Sequence, residues 1–227
     1  MQSKGHIPVT IDTNVVLHGY YRSSAAFRLR IALNLKQIAY RTVAHHLRRG
    51  EQRSDDYLAL NPQGLVPALE LDGRVFTQSL ATIDYLDETR PHPPLLPKNK
   101  VDRARVRAIA QLIASDIHPI DNLRVLAYLR DELAQPKEKV SQWYAHWIML
   151  GFHALEKMLA GDPRTGRFCH GDAPGLADIC LVPQVTNARL QKVDISGYPT
   201  IARIADEALA HPAFVEALPA NQPDAEK

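Results

Sequence analysis

Cysteine is almost missing from this 227-residue chain: Cys169 and Cys180 are the only two. So few thiols supply neither a disulfide framework nor a Cys-rich zinc site, so both read as buried free thiols and no metal is expected. An excess of one charge sign is also lacking. Against 27 Lys and Arg stand 25 Asp and Glu, a formal +2, which implies neither nucleic acid nor an acidic membrane surface as partner. No apolar run approaches the roughly 20 residues needed to cross a bilayer. Met1 to Val16 is interrupted by Lys4, Pro8 and Asp12, so it holds no signal-peptide core, and a cytoplasmic location is expected. What is present is ordinary globular usage, 45% hydrophobic and 23% charged, enough to bury the core of one large or two small domains. There is no internal repeat or low-complexity tract.

The chain is organised around Tyr21-Arg22-Ser23-Ser24-Ala25-Ala26-Phe27. Before it runs Val15-Val16-Leu17-His18-Gly19-Tyr20, a strand candidate; after it Phe27, Ile31, Leu33 and Leu35 recur at helical spacing. Ser23 and Ser24 therefore fall where a strand gives way to a helix N-terminus. Unpaired first-turn N–H groups and the helix dipole favour an anion there, and a bound thiol would ionise more easily. The plainer use of the same residues is an N-cap serine.

Residues 1–13 show no period and read as a tail outside the fold. Tyr40 to Ala44 is a second strand candidate, and His45 to Asp56 a loop with irregular helix. Leu65-Val66-Pro67-Ala68-Leu69-Glu70-Leu71 reads as a buried strand, and Asp72-Gly73 turns it into Arg74-Val75-Phe76 as a hairpin. Ser79 can cap a helix that ends at Pro91. This order predicts a thioredoxin-like α/β domain over residues 14–91. The proline-rich stretch around Pro93-Pro94 makes residues 92–100 a linker. Residues 101–227 read as an all-helical second domain, with helices at Val101 to Ala114, Ile120 to Leu133, Val140 to Leu159, Leu176 to Leu190, Ile201 to Leu209 and around Phe214.

Several motifs admit a chemical and a plain reading. A cis Val66-Pro67 bond would free the Val66 backbone to pair with an extended peptide, whereas a trans proline would simply start an edge strand. Gln78-Ser79 can hold a carboxylate or merely cap a helix. His118, Asn122 and Arg124 recur at helical spacing and so share one face, which would line a cleft; alternatively His118 is structural. Arg103, Arg105 and Arg107 diverge around a helix and read as solvated charges. Gly175 stands where a capping box ending in Asp178 would carry Ser or Thr, at a cost of a few tenths of a kcal/mol.

In order, Arg22-Ser23-Ser24 with Arg28-Leu29-Arg30-Ile31-Ala32-Leu33, then Leu60-Asn61-Pro62, Val66-Pro67, Gln78-Ser79-Leu80-Ala81, Asp116-Ile117-His118-Pro119 and Leu181-Val182-Pro183-Gln184-Val185 resemble the zeta class of glutathione transferases, the family of the maleylacetoacetate and maleylpyruvate isomerases. The resemblance runs from Val15 to Pro223. It implies a glutathione domain followed by a helical domain, a homodimer, and glutathione as cofactor. It places glutathione contacts on Ser23, Ser24, Gln52, the Val66 backbone, Gln78, Ser79, His118, Asn122 and Arg124, and a small acidic substrate against Arg22. Two departures stand out: Ala25 where many relatives carry cysteine, and Leu190 where relatives carry an arginine for a substrate carboxylate. Arg189, one position earlier, and Arg124 are the further substrate candidates. The implied reaction is glutathione-dependent cis–trans isomerisation of maleylacetoacetate to fumarylacetoacetate in aromatic amino-acid catabolism. Maleylpyruvate isomerisation and glutathione transfer to small α-halo acids share the machinery. A transferase-like assembly module is the non-enzymatic alternative.

Overall fold

The computed structural model describes residues 14–226, and the expected tail at residues 1–13 lies outside them. The chain divides into two compact units, Met1–Leu86 with Glu216–Lys227, and Asp87–Val215.

The first unit is built on four short strands, β1 (Val16–Gly19), β2 (Arg41–Ala44), β3 (Ala68–Leu71) and β4 (Arg74–Thr77), in the order β2-β1-β3-β4. β2 runs parallel to β1, which requires a crossover, and α1 (Ser24–Leu35) supplies it. β3 is antiparallel to both β1 and β4. Asp72 and Gly73 join β3 to β4 with φ of 52° and 71°, two left-handed residues as a tight hairpin demands, and as the Asp-Gly pair predicts.

Side chains alternate across the sheet. Leu17 and Leu69 face each other across β1 and β3 and are fully buried. On this face lies α1, for a Cβ on Gly19 would stand 3.3 Å from the Ala26 Cβ. Every residue of α1 is buried except Ala25 and Asn34, including Arg28 and Arg30. Arg30 is tolerated because its Nε donates to the Ala217 carbonyl at 2.9 Å and its terminal nitrogen to the Tyr21 carbonyl at 3.1 Å. Burial pulls its pKa down to about 10, so it is still charged at neutral pH. Residues 45–56, expected as loop and irregular helix, form two 3-10 turns, Leu47–Arg49 and Glu51–Arg53, before α2 (Asp55–Leu60). After β4 comes α3 (Ser79–Thr89), whose first helical residue, not its cap, is Ser79.

The second unit is helical: α4 (Lys100–Gln111), α5 (Leu123–Asp131), α6 (Lys137–Ala160), α7 (Leu176–Leu190), α8 (Pro199–Ala208) and α9 (Pro212–Glu216), which runs one residue into the first unit's share of the chain. α6 buries Tyr144, Ile148, Phe152, Leu155 and Leu159, a stripe at helical spacing, and each such side chain contributes roughly 1.5–3 kcal/mol relative to exposure. α7 is apolar nearly all round because it is central, packed against both α4 and α8.

Two expectations about this unit are corrected. The arginines of α4 are not all solvated: Arg105 is stapled by its Nε to Asp162 at 2.8 Å and by its terminal nitrogens to the Cys169 carbonyl at 2.8 Å and Thr165 at 2.9 Å. Helical divergence separated the three arginines in direction, but only the fold shows which direction points inward. The glycine before α7 is also more than a weak cap. A Cβ on Gly175 would stand 2.8 Å from the Leu95 carbonyl, whereas the cap itself is closed from the other side by Asp178. That carboxylate accepts from the Gly175 N–H at 2.9 Å and the Cys169 N–H at 2.8 Å. Cys169 and Cys180 are buried free thiols, as expected, and burial pushes the Cys169 thiol well up, so it is inert as a nucleophile.

Candidate active site

Strand register decides which loops meet in the first unit. Gly19 ends β1 beside Ala44, the last residue of β2; His18 lies opposite Ala68, the first residue of β3; Ala68 lies opposite Thr77, the last residue of β4. The turn into α1, the segment after β2, the loop before β3 and the turn into α3 therefore emerge at one end of the sheet. Tyr20, Tyr21, Tyr57, Val66 and Ala68 form a buried cluster there, with Leu47, Leu60 and Ala225 packed against it.

Ser23 enters α1 by a tight turn, its N–H donating to the Tyr20 carbonyl at 2.9 Å. It is the N-cap: its hydroxyl oxygen accepts from the Ala26 N–H at 3.2 Å. The plain reading of Ser23 thus holds, and the hydroxyl proton is still available to donate. Ser24 is the first helical residue and is buried. The first turn of α1 contains no acidic side chain, so the partial positive charge of the helix start has no internal counterweight. Arg22, half-buried beside it, makes no hydrogen bond or ion pair among the described residues.

The Val66-Pro67 bond is cis. Neither the N–H nor the C=O of Val66 is hydrogen-bonded among the described residues, although Val66 itself is buried. Gln78 adopts a left-handed φ of 67°, and its side-chain amide donates to Gln63 at 2.8 Å. The Ser79 hydroxyl accepts from the buried guanidinium of Arg28 at 3.4 Å, and α3 also begins without an acidic residue. Gln52 donates weakly to the Leu47 carbonyl at 3.4 Å, while its Oε1 is buried with no partner. Burial raises the phenols of Tyr20 and Tyr57 to about 12, so both are hydrogen-bond donors at neutral pH and neither is a base. Tyr57 spends its proton on the Leu65 carbonyl at 2.7 Å.

The second-unit candidates do not share one helical face. His118 ends an irregular π turn, Leu112–Ile117, and the chain then leaves the helix at Pro119 until Asn122 caps α5. Proline cannot continue the ladder, and an Asn side chain competes for backbone N–H groups. The Asn122 side chain accepts from the Arg124 N–H at 3.2 Å; the Arg124 side chain is exposed. Arg189 donates to Asp206 on α8 at 2.8 Å, and Leu190 is 54% exposed. Among the described residues no cluster of three or more His, Cys, Asp or Glu is arranged for a metal.

Three features were missed in the sequence. His18 hydrogen-bonds both His45, at 2.9 Å, and Glu70, at 2.7 Å; a histidine inside an apolar strand was the available signal. Asp224 accepts from the Tyr21 N–H at 2.9 Å and Glu226 pairs with His46 at 2.8 Å, tying the C-terminal segment to the first unit. Nothing local announced this long-range contact. Burial of Arg28 and Arg30 was equally silent, since arginine at helical spacing reads as surface.

Residues 22–89 match the family model described as glutathione S-transferase, N-terminal domain. A probable maleylacetoacetate isomerase of Vibrio cholerae is 49% identical over 93% of this chain and 99% of its own length. The solved holo structure of a bacterial maleylpyruvate isomerase, a zeta-class glutathione S-transferase, superposes with a TM-score of 0.91 at 45% identity, covering 93% of this chain and all of that one. A maleylacetoacetate isomerase from Methylobacterium extorquens AM1, solved with malonate and glutathione, gives 0.90 at 45% identity over 93% of this chain and 100% of its own.

Proposed function

Since the chain belongs to the zeta-class glutathione transferases, the family of the maleylacetoacetate and maleylpyruvate isomerases, we propose that it is a glutathione-dependent cis–trans isomerase of a maleyl diketo acid, with maleylacetoacetate as the substrate. The observation that carries this reading is the convergence of Ser23, Ser24, Val66, Gln78 and Ser79 at one end of the sheet. The residues there fit glutathione. Its backbone needs a strand-like partner, and Val66 offers an uncommitted N–H and C=O; its polar groups need donors and acceptors, and Gln52 holds a buried oxygen with no partner. When bound, glutathione supplies a thiolate that adds reversibly to the cis double bond, allows rotation, and leaves unchanged.

In this reading Ser23 donates its hydroxyl proton to the sulfur, and the start of α1 favours the charged form of the thiol. Ser24 lines the same turn. Gln78 and the first turn of α3, with Ser79, receive a glutathione carboxylate; Gln78 gives up Gln63 to do so. Arg22, which pairs with no anion among the described residues, pairs with a substrate carboxylate. His118, Asn122 and Arg124 are proposed as further glutathione contacts, Arg124 as a substrate contact too. Arg189 is a substrate candidate only if it leaves Asp206. Ala25 removes a neighbouring thiol but not the serine donor, so isomerisation does not depend on it.

The protein is further proposed to act in the cytoplasm as a homodimer. Met149 and Leu150, both exposed on α6, are apolar surface that a second copy would cover; among the described residues no helix is long and apolar enough to cross a membrane. The domain boundaries proposed from the sequence are 14–91 and 101–227 about a linker at 92–100, whereas the compact units divide at Leu86 and return the segment from Glu216 to the first unit.

The test is side-by-side turnover of maleylacetoacetate, maleylpyruvate and an α-halo acid with and without glutathione. Faster, glutathione-dependent isomerisation of maleylacetoacetate supports the assignment. Turnover of the halo acid alone replaces it with a transferase, and no turnover with no glutathione binding leaves the assembly module.

A further inference from the structure

The sheet face opposite α1 carries a row of polar groups where apolar ones are usual. His18, only 7% exposed, sends Nε2 to the Glu70 carboxylate at 2.7 Å and Nδ1 to Nε2 of His45 at 2.9 Å. The two imidazoles stack with centroids 5.2 Å apart, and the His45 ring lies 4.3 Å from Tyr57. Both nitrogens of His18 are thus engaged, and the carboxylate end is partly open, with the Glu70 side chain 40% exposed.

Hydrogen-bond logic limits the protons this chain can hold. Glu70 only accepts, so His18 Nε2 carries hydrogen. With both rings neutral, His45 Nε2–H donates to His18 Nδ1. One added proton reverses that bond, since His18 then donates to the bare Nε2 of His45. A second added proton would set two N–H donors against each other across 2.9 Å, and the contact must open.

Opening it matters because His45 ties together the parts proposed to hold glutathione. Its backbone N–H donates to the Gly19 carbonyl at 2.8 Å at the end of β1. Its ring packs on Tyr57, whose hydroxyl holds the Leu65 carbonyl beside Val66. It also immediately precedes His46, the N-cap of the first 3-10 turn, in the segment that carries Gln52 seven residues on and is stabilised by the Glu51 carboxylate accepting from the His46 N–H at 2.6 Å. We propose that Glu70, His18 and His45 form a proton-limited clasp that positions Val66 and Gln52, making glutathione binding weaken in acid for a reason separate from ionisation of the thiol. This rests on the glutathione reading above.

The groups facing the clasp are accounted for. His18 meets Glu70 on β3, His45 after β2, and Tyr57 on α2 at 6.2 Å. His45 meets His18, Tyr57 and the more distant Glu51. Burial first, then the charge of His18, lowers the His45 pKa below its usual 6.5, with Glu51 opposing. Held down in this way, His45 resists the second proton that would open the contact, so the contact holds near neutral pH and is lost only as acid supplies that proton. His46 with Glu226 is the rival titrating pair nearby.

S-methylglutathione, which has no thiol, serves as the probe, with affinity measured by calorimetry on the full chain between about pH 7.5 and about pH 5. The unmodified protein should lose about tenfold in affinity. His45→Val should flatten that loss to less than about twofold, and Glu70→Gln, on the exposed flank, should move it to lower pH because an anion that favours the added proton is gone. His46→Gln should keep the loss unchanged. A pH-independent affinity in the unmodified protein, the same loss in His45→Val and Glu70→Gln, or its disappearance in His46→Gln overturns the clasp while leaving glutathione binding intact. No binding at either pH removes the glutathione reading and the clasp with it. Unchanged circular dichroism across the range separates local opening from unfolding.

Discussion

Two helix starts in this protein are built from similar materials to opposite ends. At α1 a serine cap leaves the first turn without any carboxylate, beside an arginine that pairs with nothing among the described residues. At α7 the protein supplies its own acceptor, as the Asp178 carboxyl, only 1% exposed, accepts from Gly175 and Cys169. The arginines divide in the same way: Arg22 is uncommitted, while Arg105 spends its guanidinium on three internal oxygens. A helix start satisfied from within holds a fold together; one left unsatisfied next to uncommitted donors is available to a ligand.

The difference can be broken most forcefully at α7. Asp178→Ala leaves the buried Cys169 N–H and the half-buried Gly175 N–H without an acceptor, and an unsatisfied buried donor costs roughly 1–3 kcal/mol, so a loss of about 3 kcal/mol is expected. For a chain of this size that lowers the melting temperature by about 6–12 °C. Calorimetric melting checks it; glutathione affinity measured well below the melting point should barely change. Ser23→Ala is the reciprocal experiment. Loss of one donor to a thiolate should cut kcat/KM on the order of tenfold to a hundredfold, with only about 1 kcal/mol of stability lost with the cap. Ser24→Ala, assayed alongside, should cost less because Ser23 is the cap at the turn.

Gly175→Ser sharpens the contrast further, since serine is ordinarily the better cap. Here its Cβ would meet the Leu95 carbonyl at 2.8 Å, and we expect destabilisation by about 1–3 kcal/mol. Stabilisation on thermal melting would contradict the close approach. Arg22→Ala should chiefly raise KM for the diacid by about tenfold, less for a monoacid analogue, and Arg22→Lys should not restore it, because a bidentate pair is lost. The smallest effect belongs to Arg189→Ala, an exposed pair with Asp206 worth less than about 1 kcal/mol; steady-state kinetics should stay within about twofold.

Much of this was legible in the chain because the signals were local. Asp72-Gly73 announced a hairpin, the serines a helix start after a strand, and the run of prolines a stretch with no regular structure. The ordered motifs from Arg22 to Val185 identified the family. What stayed hidden depends on distant partners. Helical spacing put His118, Asn122 and Arg124 on one face, but Pro119 intervenes and the Asn122 side chain caps a new helix. Arg105 and Arg30 look like surface residues until Cys169, Asp162 and Ala217 are folded against them. Gly175 looked like a poor cap because its crowding neighbour, Leu95, lies far away in sequence.

The central claim is that the start of α1 is left open to receive and ionise a thiol. The direct measurement is the ultraviolet thiolate absorbance of bound glutathione at neutral pH, compared between the unmodified protein, Ser23→Ala and Asp178→Asn. The account predicts thiolate on the unmodified protein and on Asp178→Asn, and a marked loss on Ser23→Ala as the bound thiol's pKa rises. Equal thiolate in all three, or none in any while glutathione remains bound, would contradict it.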